Sequence, residues 1–268
     1  MNACADPVPE RVAETGSTSD DLLARVHAAA RAGAPSFQPC LLVAGHQRAG
    51  RGRHGRSWHG EPGASLTFSI AWPCARADIS GLSLAVGAEL ADALDPPVPQ
   101  HPARIALKWP NDLWLRDEAG GLQGGGRKLA GVLVETAPLG ERRVAVVGVG
   151  INVRPHRVPE SSSGMASLDE IDAGATPESA LARVAAPLFA ALRRFDSEGF
   201  APFLDRFAAR DLLHGRRVTG TASGRSVEGI ATGIDAHGSL LVATPSGPIA
   251  AVSGEWRLAR SEPSESPC

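Results

Sequence analysis

The chain has no tyrosine, only four cysteines and almost no net charge, which is −2 at pH 7. The cysteines stand at positions 4, 40, 74 and 268 and form no CxxC pair. This argues against a disulfide framework or a zinc knuckle and favours a reducing, cytoplasmic environment. The balanced charge argues against a polyanion-binding role for the chain as a whole. No apolar run approaches the roughly 18 residues that cross a bilayer, so we expect no membrane association.

The chain does contain enough apolar residues for a sizeable core, 43% of 268, and many turn residues, with 30 glycines and 21 prolines. Apolar spacing predicts a first helix from Ser17, ended by Gly33 and Pro35, and further helices over 79–94, 176–195 and 200–212. It predicts strands over 40–44, 65–72, 104–109, 113–115, 129–136 and 143–153. Short β-type runs within 216–258 predict a small β-barrel appended to this core. The predicted organisation is a flexible leader (1–14), a core domain (15–213), a β-rich domain (214–260) and a disordered tail (261–268).

The most unusual segment is a glycine loop that carries arginines, Gly50-Arg51-Gly52-Arg53-His54-Gly55-Arg56-Ser57-Trp58. It contains a literal GxGxxG, but further glycines and a proline follow, so the helix that a dinucleotide fingerprint requires cannot form. Glycines let backbone N–H groups approach an anion, and arginines bind carboxylate or phosphate with paired hydrogen bonds. The loop therefore predicts an anion site that becomes ordered when the anion binds. A solvated basic loop and an RNA-binding segment are the alternatives.

A second group of polar residues surrounds a turn, Lys108-Trp109-Pro110-Asn111-Asp112. The lysine ends a strand, and the Asn-Asp pair offers oxygen ligands of the kind that Mg²⁺ prefers. Lys128 stands just before another buried strand, and Asn152 is a polar residue in an apolar run, where it needs a partner. Each feature alone is also typical of an ordinary turn or a solvated strand end. Together they predict a site for two anionic groups and a purine-like ring.

With this combination of motifs the sequence resembles the biotin protein ligases, also called biotin–[acetyl-CoA-carboxylase] ligases. The resemblance is carried, in the family's order, by Gly16-Ser17-Thr18-Ser19, the segment 47–58 with GRGRHGRSW, KWPND from 108, KLAGVLVE from 128 and GVGIN from 148. It implies an α+β fold, in which a mixed β-sheet catalytic core with flanking helices resembles the class II aminoacyl-tRNA synthetases and biotin synthetase. The domain over 214–260 would then be an SH3-like β-barrel, and 15–213 the biotin- and ATP-binding catalytic domain.

The resemblance also implies a two-step reaction with ATP and biotin as substrates and Mg²⁺ as the metal. The biotin carboxylate attacks the α-phosphate of ATP to give biotinyl-5′-AMP, and a lysine of a biotin carboxyl carrier domain then takes the biotinyl group. By matched position, the catalytic residues are Lys128, Arg51 and Arg53. The biotin-binding residues are Ser17, Thr18, Ser19, Gln47, Arg51, Gly52, Arg53 and Lys128. The ATP-binding residues are Arg53, Arg56, Trp58, Lys108, Asn111 and Asn152, and Asp112 is the magnesium ligand.

The sequence departs from the family pattern at three places. Ser19 stands where many members have asparagine, and the glycine-rich segment 117–126 is longer than expected. The chain also begins close to the catalytic core, without the winged helix that makes some relatives DNA-binding repressors. We therefore expect no DNA binding, and a monomer or weak homodimer.

Three other functions stay open on the sequence alone. A lipoate or octanoate protein ligase or transferase would use the same fold, because the acyl pocket cannot be read from the sequence. A nucleic-acid-binding module would use the arginine-glycine loop, although the net charge of −2 argues against it. The third is a non-catalytic scaffold, which biotin-dependent exchange of labelled pyrophosphate into ATP would exclude.

Overall fold

The computed structural model describes residues 6–99, 102–117, 125–157, 164–222 and 224–259. Its core is a seven-stranded mixed sheet. The strands are β1 (Glu10–Thr15), β2 (Cys40–Gln47), β3 (Ser65–Cys74), β4 (Ile105–Lys108), β5 (Asp112–Leu115), β6 (Arg127–Leu139) and β7 (Arg142–Asn152). They lie in the order β1-β2-β3-β7-β6-β5-β4, in which β1 and β2 are parallel and every other neighbouring pair is antiparallel. The expected mixed-sheet core is confirmed.

Helices cover both faces of this sheet. The first, α1 (Thr18–Arg31), buries Leu22 and Val26 against one face, where they meet Leu42 of β2. The long helices α2 (Leu82–Leu94) and α3 (Pro177–Glu198) pack with the opposite face. Successive residues of β2 point to opposite faces because the side-chain period of a strand is two. Within the described ranges, no helix combines the length and apolar content needed to cross a membrane.

The C-terminal segment forms a second, five-stranded antiparallel sheet. Its strands are β8 (Arg217–Ala222), β9 (Arg225–Ile234), β10 (Leu240–Thr244), β11 (Gly247–Ala251) and β12 (Trp256–Leu258), in the order β11-β10-β9-β8-β12. Val218, Leu240 and Trp256 are fully buried and belong to the same apolar cluster as the core of the first sheet. The indole N–H of Trp109 donates a 2.8 Å hydrogen bond to the carbonyl of Gly238. This shared core holds β12 beside the KWPND turn.

The leader expected over 1–14 is wrong in its last part, because Glu10–Thr15 is the edge strand β1. Within β1 only Val12 and Ala13 are apolar, and they are adjacent, so the sequence shows no apolar alternation that would predict a strand. Its stability comes from main-chain pairing with β2 and from side-chain pairs such as Glu10 with Arg25 at 2.8 Å. Charged side chains are typical of edge strands, where they discourage further pairing. Residues 1–5, 118–124 and 260–268, which include parts of the leader, the insertion and the tail, lie outside the described residues.

The helix expected over 200–212 is also shorter than its apolar spacing predicts. A 3₁₀ turn at Ala201–Phe203 leads into α4 (Leu204–Ala208), and the helix ends there. Beyond it the backbone pairs with β4, since the N–H of Leu107 donates to the carbonyl of Arg210 at 2.8 Å. The buried Arg210 guanidinium also bonds the carboxylates of Asp92 and Asp95. These tertiary bonds take the backbone groups that a longer helix would need.

Candidate active site

One cleft of about 630 Å³ lies between the first sheet, the glycine loop and the second sheet. Of the site residues expected from the sequence, all except Asn152 line this cleft. The expected residues that line it are Ser17, Thr18, Ser19, Gln47, Arg51, Gly52, Arg53, Arg56, Trp58, Lys108, Asn111, Asp112 and Lys128. The fold thus brings together motifs that lie more than a hundred residues apart in the chain.

One end of the cleft is a buried cluster of uncharged polar side chains. Gln47 Oε1 accepts hydrogen bonds from the backbone N–H of Thr18 at 2.7 Å and from its hydroxyl at 2.9 Å. The Ser69 hydroxyl lies 2.7 Å from Thr18 Oγ1 and 3.0 Å from Ser19 Oγ. Gly148 leaves room for this cluster, because a Cβ there would lie 2.6 Å from Ser19 Oγ. Such a pocket suits a compact ligand group that both donates and accepts hydrogen bonds.

The position of the polar cluster follows from local structure. Ser17 is the N-cap of α1, and its hydroxyl accepts from the N–H of Asp20 at 3.4 Å. The helix therefore begins where Thr18 and Ser19 face the sheet, and β2 ends at Gln47 opposite them. Beyond the cluster the cleft wall is apolar, and its lining side chains are those of Phe68, Val132, Leu133 and Val149.

The glycine loop crosses the cleft as a compact turn, with a short 3₁₀ segment at Arg53–Gly55. The N–H of Trp58 donates to the carbonyl of Gly50 at 2.8 Å, and a β-bridge joins Arg51 to Ser57. His54 has a φ of 55°, in the left-handed region that non-glycine residues rarely adopt. These contacts give the loop a defined conformation across the cleft, and its ordering by a bound anion stays a prediction.

The arginines of the loop are largely held by groups outside it. Arg51 Nη2 lies 2.8 Å from Asp20 Oδ1 and 2.5 Å from Glu135 Oε2. Arg56 pairs with Glu255, which precedes β12. Arg53 Nη1 donates to Asn111 Oδ1 at 3.3 Å. Each of the three arginines thus has at least one protein partner within the described residues.

The other end of the cleft is cationic. Lys108 and Lys128 are the only two lysines in the chain, and both line it. Lys128 Nζ lies 2.8 Å from Asp112 Oδ1, and Lys108 Nζ lies 4.8 Å from the centroid of the Trp114 ring. Burial lowers the pKa of the Lys108 ammonium; Asp112 opposes this shift and Lys128 reinforces it. Burial likewise lowers the pKa of the Arg53 guanidinium. This end is therefore suited to anionic groups, which would relieve the crowding of positive charge.

Asn152 lies behind the cleft rather than in its lining. Its side-chain NH₂ donates to the carbonyls of Lys128 at 3.3 Å and Ala166 at 3.2 Å. Asn152 is therefore linked to the cleft by its hydrogen bond to the backbone carbonyl of Lys128. Contact between Asn152 and a nucleotide stays a prediction.

Several cleft residues have no counterpart among the sequence expectations. Ser69 could have been noticed as a hydroxyl in a buried strand, where polar groups need partners. Glu135, in the KLAGVLVE segment, is not part of the cleft lining but pairs with Arg51, which is. Glu255 and Arg257 enter from the second sheet, and no local pattern connects them with residues 17–152. Among the described residues, no group of three His, Cys, Asp or Glu side chains could hold a metal ion.

Two family models match the chain. Residues 37–152 match the biotin/lipoate A/B protein ligase family, and residues 213–255 match the biotin protein ligase C terminal domain. The bifunctional ligase/repressor BirA of Escherichia coli is 37% identical over 205 residues, which cover 75% of this chain but only 60% of that protein. The biotin–[acetyl-CoA-carboxylase] ligase of Mycobacterium tuberculosis is 35% identical over 236 residues, covering 85% of this chain and 80% of that protein.

The fold is similar to that of solved structures as well. A biotin protein ligase from Aquifex aeolicus, solved in complex with biotin and ATP, has a TM-score of 0.73 at 26% identity. The alignment covers 94% of this chain and 99% of that chain. Both the mixed sheet and the C-terminal antiparallel sheet are therefore part of a known architecture.

Proposed function

Because the chain belongs to the biotin protein ligases of the biotin/lipoate A/B protein ligase family, we propose that it attaches biotin to a protein in two steps. It activates biotin with ATP to biotinyl-5′-AMP, then transfers the biotinyl group to a lysine of a biotin carboxyl carrier domain. The observation that carries this proposal is the polarity of the cleft, with an uncharged polar pocket, an apolar wall and a cationic end.

The polarity of the cleft matches the chemistry of biotin from end to end. The ureido ring of biotin both donates and accepts hydrogen bonds, as do Gln47, Thr18 and Ser69 in the polar pocket. Its sulfur ring and aliphatic chain are apolar and fit the wall that includes Phe68 and Val149. The chain ends in a carboxylate, which would then lie towards Lys128.

The polar pocket also favours biotin over lipoate or octanoate. The hydroxyls of Thr18 and Ser69 bond each other, but an acyl chain with an apolar end would bury the remaining hydrogen-bonding capacity of the pocket without using it. Burying polar groups without a full set of partners costs binding energy, and sites built to hydrogen-bond a ligand reject analogues that lack the group.

In the first step a carboxylate oxygen of biotin bonds to the α-phosphorus of ATP, and pyrophosphate leaves. Carboxylate and triphosphate repel each other, so cations must offset their charge before they meet in line. Lys128 is placed to do this, because Asp112 holds its ammonium group in the cleft at 2.8 Å. Arg53 and Lys108 stand on the nucleotide side, and the cost of their burial is relieved by phosphate binding.

In the second step the acceptor amine attacks the carbonyl carbon of the mixed anhydride, and AMP leaves. The anhydride is open to hydrolysis, so the enzyme must keep water away until the acceptor arrives. The glycine loop is suited to this task since it crosses the cleft and is anchored by Trp58, whose ring lies against Gly131 and Gly150.

The residues present fit a magnesium ion that arrives with ATP. Asp112 offers one carboxylate at the cationic end, and Mg²⁺ in nucleotide sites is held by one or two carboxylates together with phosphate oxygens. When bound, the ion would neutralise charge on the phosphates. A magnesium ion held by the protein alone does not fit the described donor set.

We place the reaction in the cytoplasm, where the two cysteines in the described part, Cys40 and Cys74, would stay as free thiols. We also infer a monomer or weak homodimer that works without DNA, with the carrier domain as its protein partner.

The proposal is tested by the intact mass of a purified apo carrier domain after incubation with this protein, MgATP and biotin. We expect one biotinyl mass gain that requires ATP. Parallel reactions contain lipoate or octanoate in place of biotin. A mass gain of the carrier domain only in one of these reactions would show that lipoate or octanoate, and not biotin, is the substrate. No gain in any reaction, with folded protein, would contradict ligase activity.

A further inference from the structure

The carboxylate of Glu255 bridges two arginines inside the cleft. Its Oε2 pairs with Nη2 of Arg56 in the glycine loop. Its Oε1 accepts from Arg257 Nη2 at 3.0 Å and Nε at 3.2 Å. All three residues line the cleft. One side chain of the second sheet thus connects the loop to β12 through both of its oxygens.

Two further cations surround the same carboxylate. Burial lowers the pKa of both Arg53 and Lys108, and the negative charge of Glu255 opposes the shift in each case. Burial also acts to raise the pKa of Glu255 itself, but hydrogen bonds from Arg56 and Arg257 outweigh it and leave that pKa lowered. Glu255 is therefore an ionised carboxylate among four cationic side chains.

A guanidinium group binds carboxylate and phosphate with the same N–H donors. The cations at this end of the cleft repel each other when no ligand is bound, and a single carboxylate offsets part of that repulsion. A triphosphate carries more charge and more acceptor oxygens than Glu255. The carboxylate and the phosphates would therefore compete for the same donors.

We propose that Glu255 is an internal competitor of the nucleotide: it occupies Arg56 and Arg257 in the free protein, and the terminal phosphates of ATP replace it. The proposal rests on the proposed function, in which ATP binds in this cleft. It adds Arg257, and with it the second sheet, to the phosphate-binding residues. When pyrophosphate leaves, Glu255 returns to Arg56 and Arg257 and favours its release.

The experiment is calorimetric titration of the whole protein with inorganic pyrophosphate and with ATP, both in the presence of Mg²⁺. Glu255→Gln keeps the shape of the side chain but removes the charge, so we expect pyrophosphate to bind about three- to fivefold more tightly. Arg257→Gln should weaken pyrophosphate binding about tenfold, because hydrogen bonds to charged groups are lost. The matched control is Glu228→Gln, which breaks the 2.9 Å pair with Arg217 on the same sheet and should leave both affinities unchanged.

A second comparison separates competition from long-range repulsion. In a protein that already carries Arg56→Gln and Arg257→Gln, Glu255→Gln should bring no further gain, since Glu255 no longer has those donors to occupy. The same gain in that background would overturn the proposal, as would unchanged or weaker pyrophosphate binding by Glu255→Gln alone.

Wild-type binding distinguishes this inference from the proposed function. A folded wild-type protein that binds neither ATP nor pyrophosphate would overturn both. Normal ATP binding with no effect of Glu255→Gln would overturn only the competition.

Discussion

The indole ring of Trp58 occupies the space beside Gly150 that any side chain at that position would need. A Cβ built on Gly150 would overlap the Trp58 ring, and one on Gly131 would lie 3.5 Å from it. The buried Trp58 Nε1 has no hydrogen-bond partner in the described part of the chain, so the ring is held by packing against the glycines and by the Lys128 ammonium, 5.8 Å from the ring centroid. Two glycines in neighbouring strands thus anchor the end of the glycine loop.

Gly150→Ala should displace Trp58 and loosen the loop. Overpacking of this kind costs about 1–3 kcal/mol, so we expect that loss in the free energy of unfolding by urea denaturation. ATP affinity should fall in parallel because the anchored loop forms one wall of the cleft. Gly174→Ala is the control, since a Cβ there would meet only Asp172 Oδ1 at an ordinary 3.7 Å. If Gly150→Ala unfolds with the same free energy as the wild type and binds ATP as tightly, Trp58 does not depend on the absence of a side chain at position 150.

Ser69→Ala should weaken biotin binding about tenfold by calorimetry, because the hydroxyl that joins Thr18 and Ser19 is lost and both are left with fewer partners. ATP affinity should stay as in the wild type. Ser65→Ala, on the same strand but outside the cleft, is the matched control. If biotin binds Ser69→Ala as tightly as the wild type, the polar pocket does not recognise the ureido ring.

Lys128→Ala should lower biotin-dependent exchange of labelled pyrophosphate into ATP by about 10²- to 10³-fold. The expected cause is loss of positive charge where the carboxylate meets the α-phosphate. Arg225→Ala, an exposed cation on β9 away from the cleft, should exchange at the wild-type rate. Near-normal exchange by Lys128→Ala would remove its assigned role.

Lys108 should make the unfolding free energy depend on pH. Burial lowers its pKa in the folded protein below the ordinary 10.5, so the folded chain binds this proton less tightly than the unfolded chain. Between the lowered value and 10.5, the unfolded chain holds more protons, and stability rises with pH. Below that window the folded protein holds a partly buried positive charge, which lowers the free energy of unfolding.

Lys108→Met removes this partly buried charge. We therefore expect it to be more stable than the wild type near neutral pH, with the advantage shrinking as the pH rises towards 10.5. Urea denaturation over a pH series measures the difference. An advantage that does not change with pH would mean that the ammonium group is not the cause.

Arg53→Gly should release biotinyl-5′-AMP, because the link from the loop to Asn111 is lost. Released adenylate would react with the amines of a lysine-rich bystander protein. The ligase itself offers only Lys108, Lys128 and its N-terminal amine, so its own mass should change little in the same reaction. Arg48→Gly is the control, because Arg48 is exposed and lies just before the loop. If the bystander protein stays unlabelled with Arg53→Gly, Arg53 is not needed to keep biotinyl-5′-AMP in the cleft.

Periodic elements of the fold could be predicted because their own side chains bury an apolar face, as Leu22 and Val26 do in α1. Strand β1 could not, because its stability depends on main-chain pairing with β2 and its side chains are mostly polar. The end of α4 could not either, since Arg210 and β4 take the backbone bonds that would have continued the helix. Both exceptions are tertiary interactions that leave no local periodicity.

The sequence by itself determined which motifs form the cleft. Glycines, arginines and lysines at strand ends indicate an anion site by their residue types and spacing alone, whatever the rest of the fold. Only the tertiary structure decided what those groups face. It brought Ser69 between Thr18 and Ser19, and it held Arg51 between Asp20 and Glu135. It also carried Glu255 from the second sheet to Arg56, a pair separated by 199 positions. Hydrogen bonds and charges act over a few ångströms in space, so the partners of a side chain depend on how the chain folds and not on its neighbours in sequence.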